Sequence, residues 1–124
     1  MRKIKIALLG VGLMGKQHLK AIQASKKATL HSIVDVNRKS KKYADKYRVP
    51  FFNTSLNLLK NNKPDAAIVA TPNQFHEKHT INLLNNKIPV LLEKPISNTI
   101  AKAKRIINSS KKNKTQLLIG YHRR

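Results

Sequence analysis

Residues 10–15 read Gly10-Val11-Gly12-Leu13-Met14-Gly15 and follow an apolar stretch at 3–9 that predicts a β-strand. A helical pattern at 16–26 comes next, and a second predicted strand spans 29–36. Asp35 stands at the end of that second strand, 20 positions after the last glycine. A G-x-G-x-x-G turn between a strand and a helix, followed by an acid at this distance, is typical of dinucleotide-binding folds.

Each glycine of this turn has a predicted physical role. Gly10 permits the tight turn, Gly12 lets the backbone approach a pyrophosphate, and Gly15 allows the helix to pack closely on the strand. The free N–H groups at the start of the helix would then face the phosphates. We therefore expect the whole turn, including the intervening Leu13 and Met14, to contact the cofactor.

Asp35 predicts which dinucleotide is bound. Its carboxylate would accept hydrogen bonds from the adenosine ribose and would repel a 2′-phosphate, which favours NAD over NADP. Arg38 lies close by in the sequence and would offset part of that repulsion, so NADP stays open. Val36 and Arg38 complete the cofactor contacts expected at this strand end.

The rest of the chain alternates predicted strands and helices. The predicted strands cover 3–9, 29–36, 49–53, 65–70, 88–92 and 115–120, and the predicted helices cover 16–26, 38–47, 54–61, 74–84 and a last segment from 97–99 onward. Asn37 is a candidate N-cap, and Ile100, Ala103, Ile106 and Ile107 form the expected buried stripe of the last helix. Continuously apolar strands indicate a sheet covered on both faces. We therefore predict an α/β fold, a doubly wound parallel Rossmann sheet of order 3-2-1-4-5-6, with residues 1–124 as one domain.

Composition narrows the class of protein further. The chain carries 26 basic and 5 acidic residues, a formal net charge of +21, which leaves nucleic-acid binding open as an alternative function. The cations are mostly lysines, dispersed over every predicted helix, and no aromatic residues interleave with them as stacking platforms, which favours a solvated surface. The absence of cysteine excludes disulfides and thiolate chemistry, and it fits a cytoplasmic location.

The N-terminal segment has a second interpretation. A basic stretch at 1–5 precedes an apolar stretch at 6–15, as in a secretory signal. Three glycines within ten residues and the lack of a small-residue cleavage motif speak against that interpretation. No apolar run approaches the roughly 20 residues that a membrane span needs.

Three separated motifs resemble one enzyme family. They read Ala70-Thr71-Pro72-Asn73-Gln74-Phe75-His76, then Glu93-Lys94-Pro95, and finally Gly120-Tyr121-His122-Arg123-Arg124. In this order they resemble the glucose-fructose oxidoreductase / inositol dehydrogenase / MocA family of oxidoreductases. The resemblance covers the whole chain and implies hydride transfer between a nicotinamide cofactor and a sugar, polyol or related hydroxy compound.

The resemblance also implies roles for individual residues. It places one group along the nicotinamide side of the cofactor, namely Thr71, Pro72, Asn73 and His76. It places Glu93 and Lys94 at the nicotinamide ribose and the substrate, with Lys94 as the candidate catalytic residue. Because His76 and His79 stand three apart without a third ligand, we expect a solvated helix start there and no metal site.

The same family carries a second, catalytic domain with an Asp-x-x-x-His pair, which this sequence lacks. The first hypothesis is therefore a cofactor-binding domain that binds NAD and alone turns over little or no substrate. The second is a non-catalytic dinucleotide-binding module that works with a separate, acidic partner chain. The third is a basic nucleic-acid-associated protein. The sequence identifies neither the substrate nor the oligomeric state.

Overall fold

The computed structural model describes residues 2–71, 75–93, 97 and 99–120. Its strands are β1 (Ile4–Leu9), β2 (Ala28–Val34), β3 (Phe51–Phe52), β4 (Ala66–Val69), β5 (Val90–Glu93) and β6 (Leu117–Gly120). Its helices are α1 (Leu13–Ala24), α2 (Lys41–Tyr47), α3 (Ser55–Asn61), α4 (His76–Asn85) and α5 (Ile100–Asn113), with a 3₁₀ turn at Arg38–Ser40 before α2.

All strand pairs are parallel, and their order is β3-β2-β1-β4-β5-β6. This is the predicted doubly wound Rossmann sheet, and the prediction is confirmed. The order in which successive strands join the sheet reverses between the neighbours β1 and β4. Strands β2 and β3 lie on one side of β1, whereas β4, β5 and β6 lie on the other. Ligands of doubly wound folds bind in the crevice that this reversal opens at the carboxyl ends of the strands.

Two apolar layers cover the sheet, one on each face. On one face, α3, α4 and α5 contribute Leu58, Leu83, Leu84 and Ile106 to a core with strand residues such as Leu9 and Leu92. On the other face, α1 and α2 contribute Leu19, Ile22 and Ala44 to a core with Leu8, Leu30, Ile33 and Ile68. The sheet is thus buried between helices, as its continuously apolar strands predicted.

No helix among the described residues covers the part of the second face formed by β5 and β6. Helices α1 and α2 pack over β1 and β2, whereas β5 and β6 continue beyond them. A groove of about 250 Å³ lies there, and we call it the apolar groove; its lining includes Ile6, Ala66, Ile68, Pro89, Leu91 and Leu118. Leu118 is 52% exposed, which is unusual for a strand leucine. The apolar groove is therefore a hydrophobic surface open to solvent.

Two expectations from the sequence were wrong in detail. The segment 38–47 is not one helix, because the side chain of Asn37 accepts a hydrogen bond from the Lys39 amide and tightens the first turn into a 3₁₀ conformation. Ile100 does not belong to the buried stripe of α5 and is 77% exposed, while Ile106 is fully buried. Ile100 is the first residue of α5, immediately after the Thr99 cap.

A carboxylate joins the beginning of β4 to the beginning of β1. Asp65 accepts hydrogen bonds from the Lys5 amide at 2.9 Å and from the Arg2 guanidinium at 2.9 Å. The Lys5 amide, and secondly Arg2, lower the pKa of the Asp65 carboxyl. Because a depressed carboxyl pKa stabilises the fold only while the group is ionised, this contribution is lost as pH falls through the folded-state pKa.

In the described part of the chain, no helix has both the length and the apolar character required to cross a bilayer.

The contrast within α5 gives a stability prediction. Replacing Ile106 by Ala leaves a cavity in a fully buried site and should lower the free energy of unfolding by about 2–5 kcal/mol. Ile100→Ala makes the same chemical change at an exposed position of the same helix and should change stability by under about 0.5 kcal/mol. Urea denaturation followed by circular dichroism measures both. Equal effects of the two substitutions would contradict the packing described here.

Candidate functional site

The turn after β1 approaches the end of β4 so closely that only glycine fits. Gly10 has φ +95°, in the left-handed region that other residues rarely adopt. A Cβ on Gly10 would lie 2.7 Å from backbone atoms of Ala70 and Thr71. The turn is therefore fixed by both its dihedral angle and its contact with the β4 end.

The other two glycines of the turn differ from each other. A Cβ on Gly15 would lie 2.1 Å from the carbonyl oxygen of Gly10, so α1 packs directly on the turn. A Cβ on Gly12 would meet nothing within 4 Å, and Gly12 is exposed. The sequence expectation that Gly12 leaves room for a ligand is consistent with this open space.

The first turn of α1 differs from those of α3 and α5 in how it is capped. Gly12 is its N-cap, and no side chain caps it within the described part of the chain. By contrast, Thr54 and Thr99 cap α3 and α5 with side-chain hydrogen bonds. The first four N–H groups of a helix have no partner within the helix, so uncapped ones attract phosphate. The uncapped beginning of α1 is consistent with the phosphate site that the glycine spacing predicts, which stays a prediction.

Asp35 follows β2 directly, and its carboxylate organises the neighbouring loop. Oδ2 accepts hydrogen bonds from the Val11 amide at 3.1 Å and from the Ser40 hydroxyl at 2.7 Å. Oδ1 accepts one from the Asn37 amide at 3.0 Å. A carboxylate has about four acceptor positions, so one position remains for a ligand hydroxyl. Asp35 thus ties the glycine turn to the β2 end and still has acceptor capacity.

These residues enclose one cleft at the carboxyl edge of the sheet. Its volume is about 450 Å³, and its lining consists of Gly10, Val11, Gly12, Met14, Asp35, Val36, Asn37, Ser40, Ala70 and Thr71. Six predicted site residues are therefore brought together here: Gly10, Gly12, Met14, Asp35, Val36 and Thr71. Gly15 lies beneath the turn and supports it. The cleft starts at the β1/β4 reversal, where the fold predicts a ligand.

The remaining predicted site residues lie elsewhere or outside the described residues. Leu13 is 78% exposed and does not line the cleft. Arg38 is exposed and donates to the Asn53 side chain at 3.2 Å. His76 is the first residue of α4. Pro72, Asn73 and Lys94 are not among the described residues, so the predicted roles of these three remain predictions.

Glu93 ends β5, and its carboxylate contacts the ring of His18 on α1. Both side chains are largely buried, with 18% of His18 and 11% of Glu93 exposed. Sequence reasoning missed His18 as a candidate site residue. Its position three residues after Gly15 was the available signal, because that spacing returns to the face of α1 on which Gly15 lies.

His79 contradicts the expected solvated helix start. It is only 4% exposed, its Nδ1 lies 3.1 Å from the Ser55 hydroxyl, and its ring lies 6.0 Å from the Phe75 ring, tilted by 36°. His79 thus belongs to the packing between α3 and α4. Among the described residues, no three His, Cys, Asp or Glu side chains gather as a metal ion requires. That no metal is bound stays a prediction.

A parallel sheet of this order with a glycine turn, an uncapped helix start and a carboxylate at the β2 end defines a dinucleotide-binding Rossmann domain. The sequence model of the oxidoreductase family with NAD-binding Rossmann fold, named for Gfo, Idh and MocA, matches residues 4–121. The chain therefore belongs to this family and is an NAD-binding Rossmann domain of it. The family resemblance, the fold and the predicted cofactor NAD are thereby confirmed.

Curated relatives are longer than this chain. The rhizopine catabolism protein MocA of Rhizobium meliloti is 25% identical over 124 residues, which are 100% of this chain and 39% of that protein. Inositol 2-dehydrogenase 1 of Mycolicibacterium vanbaalenii is 28% identical over 128 residues, covering 100% of this chain and 37% of that protein. The chain thus spans somewhat more than a third of the relatives it matches.

Solved structures agree with the fold. The WlbA dehydrogenase from Bordetella pertussis, solved in complex with NADH and UDP-GlcNAcA, superposes with a TM-score of 0.90 and 26% identity, covering 96% of this chain and 37% of that one. A probable dehydrogenase from Thermotoga maritima superposes with a TM-score of 0.88 and 26% identity, covering 94% of this chain and 36% of that one. The similarity therefore extends over nearly the whole chain and about a third of each structure.

The glycine contacts predict an order of stability for three matched substitutions. Gly10→Ala and Gly15→Ala should each lower the free energy of unfolding by about 2–4 kcal/mol, through backbone strain and steric overlap. Gly12→Ala should cost no more than about 1 kcal/mol, the scale of a poorer N-cap. Urea denaturation ranks the three proteins. A Gly12→Ala protein as unstable as the other two would contradict the open space at Gly12.

Proposed function

We propose that this chain is the cofactor-binding part of an oxidoreductase that transfers hydride between NAD and a sugar, polyol or related hydroxy compound. The observation that carries the proposal is the cleft at the β1/β4 reversal, with the uncapped start of α1 beside the Asp35 carboxylate. Membership of the family supports the reaction class, and the named activities of the inositol dehydrogenase relatives support the substrate class.

The cofactor preference rests on electrostatics at the β2 end. Asp35 presents a carboxylate in the cleft, whereas the Arg38 guanidinium is engaged with Asn53. A 2′-phosphate would meet the negative charge of Asp35 there, which Arg38 offsets only in part, so NAD is preferred over NADP. Val36, which is 50% exposed beside Asp35, offers an apolar surface for the adenosine.

Catalysis by this chain alone is expected to be slight. Lys94 is the proposed group that orients substrate, and Glu93, Thr71, Pro72, Asn73 and His76 are the proposed contacts of the nicotinamide half. Hydride removal from an alcohol also needs a base of suitable pKa, for which the chain carries no Asp-x-x-x-His pair. We therefore propose cofactor binding with little or no turnover, in the cytoplasm, until a catalytic domain is supplied.

Nucleotide titration tests the proposal. Isothermal titration calorimetry at moderate salt should show that NAD binds more tightly than NADP to the wild-type protein. Asp35→Asn should weaken NAD binding about tenfold, because hydrogen bonds to a charged acceptor contribute roughly 1.5–3 kcal/mol each. The same substitution should reduce the difference in affinity between NAD and NADP.

Asp45→Asn is the matched control, since it removes the same charge from an exposed residue of α2 whose carboxylate pairs with Lys41 of the same helix. It should leave both affinities unchanged. Absence of NAD binding to the wild type at millimolar concentration would refute the proposed function. Tight binding of DNA with a steep salt dependence, in place of NAD, would support the nucleic-acid alternative instead.

The apolar groove gives a separate prediction about association. Contiguous exposed apolar surface promotes contact between copies of a protein, so the chain alone should self-associate at high concentration. Leu118→Lys should reduce that association, measured by analytical ultracentrifugation. Leu56→Lys is the matched control, because Leu56 on α3 is 49% exposed, nearly the same as Leu118, but lies outside the apolar groove. A strictly monomeric wild type would contradict the prediction.

A further inference from the structure

His18 contacts Glu93, a proposed contact of the nicotinamide half, but the proposed function gives His18 itself no role. Nε2 of His18, on α1, contacts Oε2 of Glu93 at the carboxyl end of β5. Only 18% and 11% of these side chains are exposed. Removing a carboxylate from water is costly unless a partner compensates for it. The pair is therefore a specific arrangement and differs from the chain's exposed ion pairs, such as Lys41–Asp45.

A third element confines the same carboxylate. Gly120 of β6 is the register partner of Glu93, and a Cβ there would lie 3.1 Å from Oε2. A side chain at position 120 would therefore press on the Glu93 carboxylate from the β6 side. Among the described residues it accepts no hydrogen bond besides that of His18, so acceptor positions remain available to a ligand.

The strand order determines on which side of the cleft the Glu93 carboxylate lies. Asp35 follows β2, on one side of the β1/β4 reversal, and Glu93 ends β5, on the other side. A dinucleotide that crosses the crevice at the reversal places one nucleoside on each side. The glycine turn and the start of α1 lie between them, and His18 belongs to the same helix.

We propose that His18 is a positioning residue for the second nucleoside of the dinucleotide, the one opposite the Asp35 side. By donating to Glu93, His18 fixes that carboxylate as an acceptor for the ribose hydroxyls of this nucleoside. The helix that receives the phosphates thereby also orients the acceptor for the far half of the ligand. This inference rests on the proposed function, because it requires that a dinucleotide occupies the crevice.

Two ligands separate the two halves of the site. ADP contains the adenosine and both phosphates, whereas NAD adds the second ribose and the nicotinamide. Both are titrated into the protein and followed by NMR chemical shifts, which measure affinities in the millimolar range. His18→Ala should weaken NAD binding about fivefold, the effect of one well-placed hydrogen bond, and should leave ADP binding within twofold of the wild type.

Four further variants test whether the effect is specific to the contact between His18 and Glu93. His18→Gln retains an N–H donor at a similar reach and should restore most of the NAD affinity. Glu93→Gln should reproduce the loss, and adding it to His18→Ala should have little further effect, as expected for two residues that act as a unit. His31→Ala removes a partly buried histidine of β2 that contacts the Ser32 hydroxyl, and it should change neither affinity.

The possible outcomes are distinct. Equal weakening of ADP and NAD by His18→Ala would mean that the residue supports α1 as a whole, which overturns the positioning role. An unchanged NAD affinity, or a wild type that binds ADP and NAD equally well, would overturn it too. A wild type that binds neither ligand would instead refute the proposed function, and this inference with it.

Discussion

The close approach of three backbone segments is the constraint on which the rest of this structure depends. The turn at Gly10, the first turn of α1 at Gly15 and the end of β4 at Ala70 are packed without room for a single additional carbon atom at either glycine. This packing sets the angle at which α1 leaves the sheet. It therefore determines where the free amide groups of α1 lie and where the crevice opens between β1 and β4.

The glycine constraint was the part of the structure most accessible from sequence. Gly10, Gly12, Gly15 and Asp35 stand at spacings that local geometry requires, and the apolar runs of the strands reveal a sheet buried on both faces. Together these patterns predicted the fold, the strand order and one side of the cleft. Such features follow from neighbouring residues and from the periodicity of side chains, so a single sequence contains them.

What the sequence did not reveal depends on contacts between distant residues. Ile100 continues the apolar spacing of α5, yet only the packing of α4 against α5 determines where the buried stripe ends. The contact of His18 with Glu93 joins residues 75 positions apart, and the burial of His79 depends on Ser55 in another helix. No local pattern encodes such pairs, because each member alone resembles an ordinary polar residue of a helix or a strand end.

The five carboxylates of this basic chain are all engaged within the fold. Asp35 holds the glycine turn to the β2 end, Asp65 joins β1 to β4, Glu77 contacts Arg105 between α4 and α5, Glu93 contacts His18, and Asp45 pairs with Lys41 within α2. Four of the five therefore bridge separate elements, whereas most of the 26 cations have no such partner among the described residues. The acidic and basic residues of this chain consequently differ in how readily they can be substituted. A lysine of the surface can be exchanged or lost at little cost, whereas the loss of any of the four bridging carboxylates removes a contact between two elements of the fold.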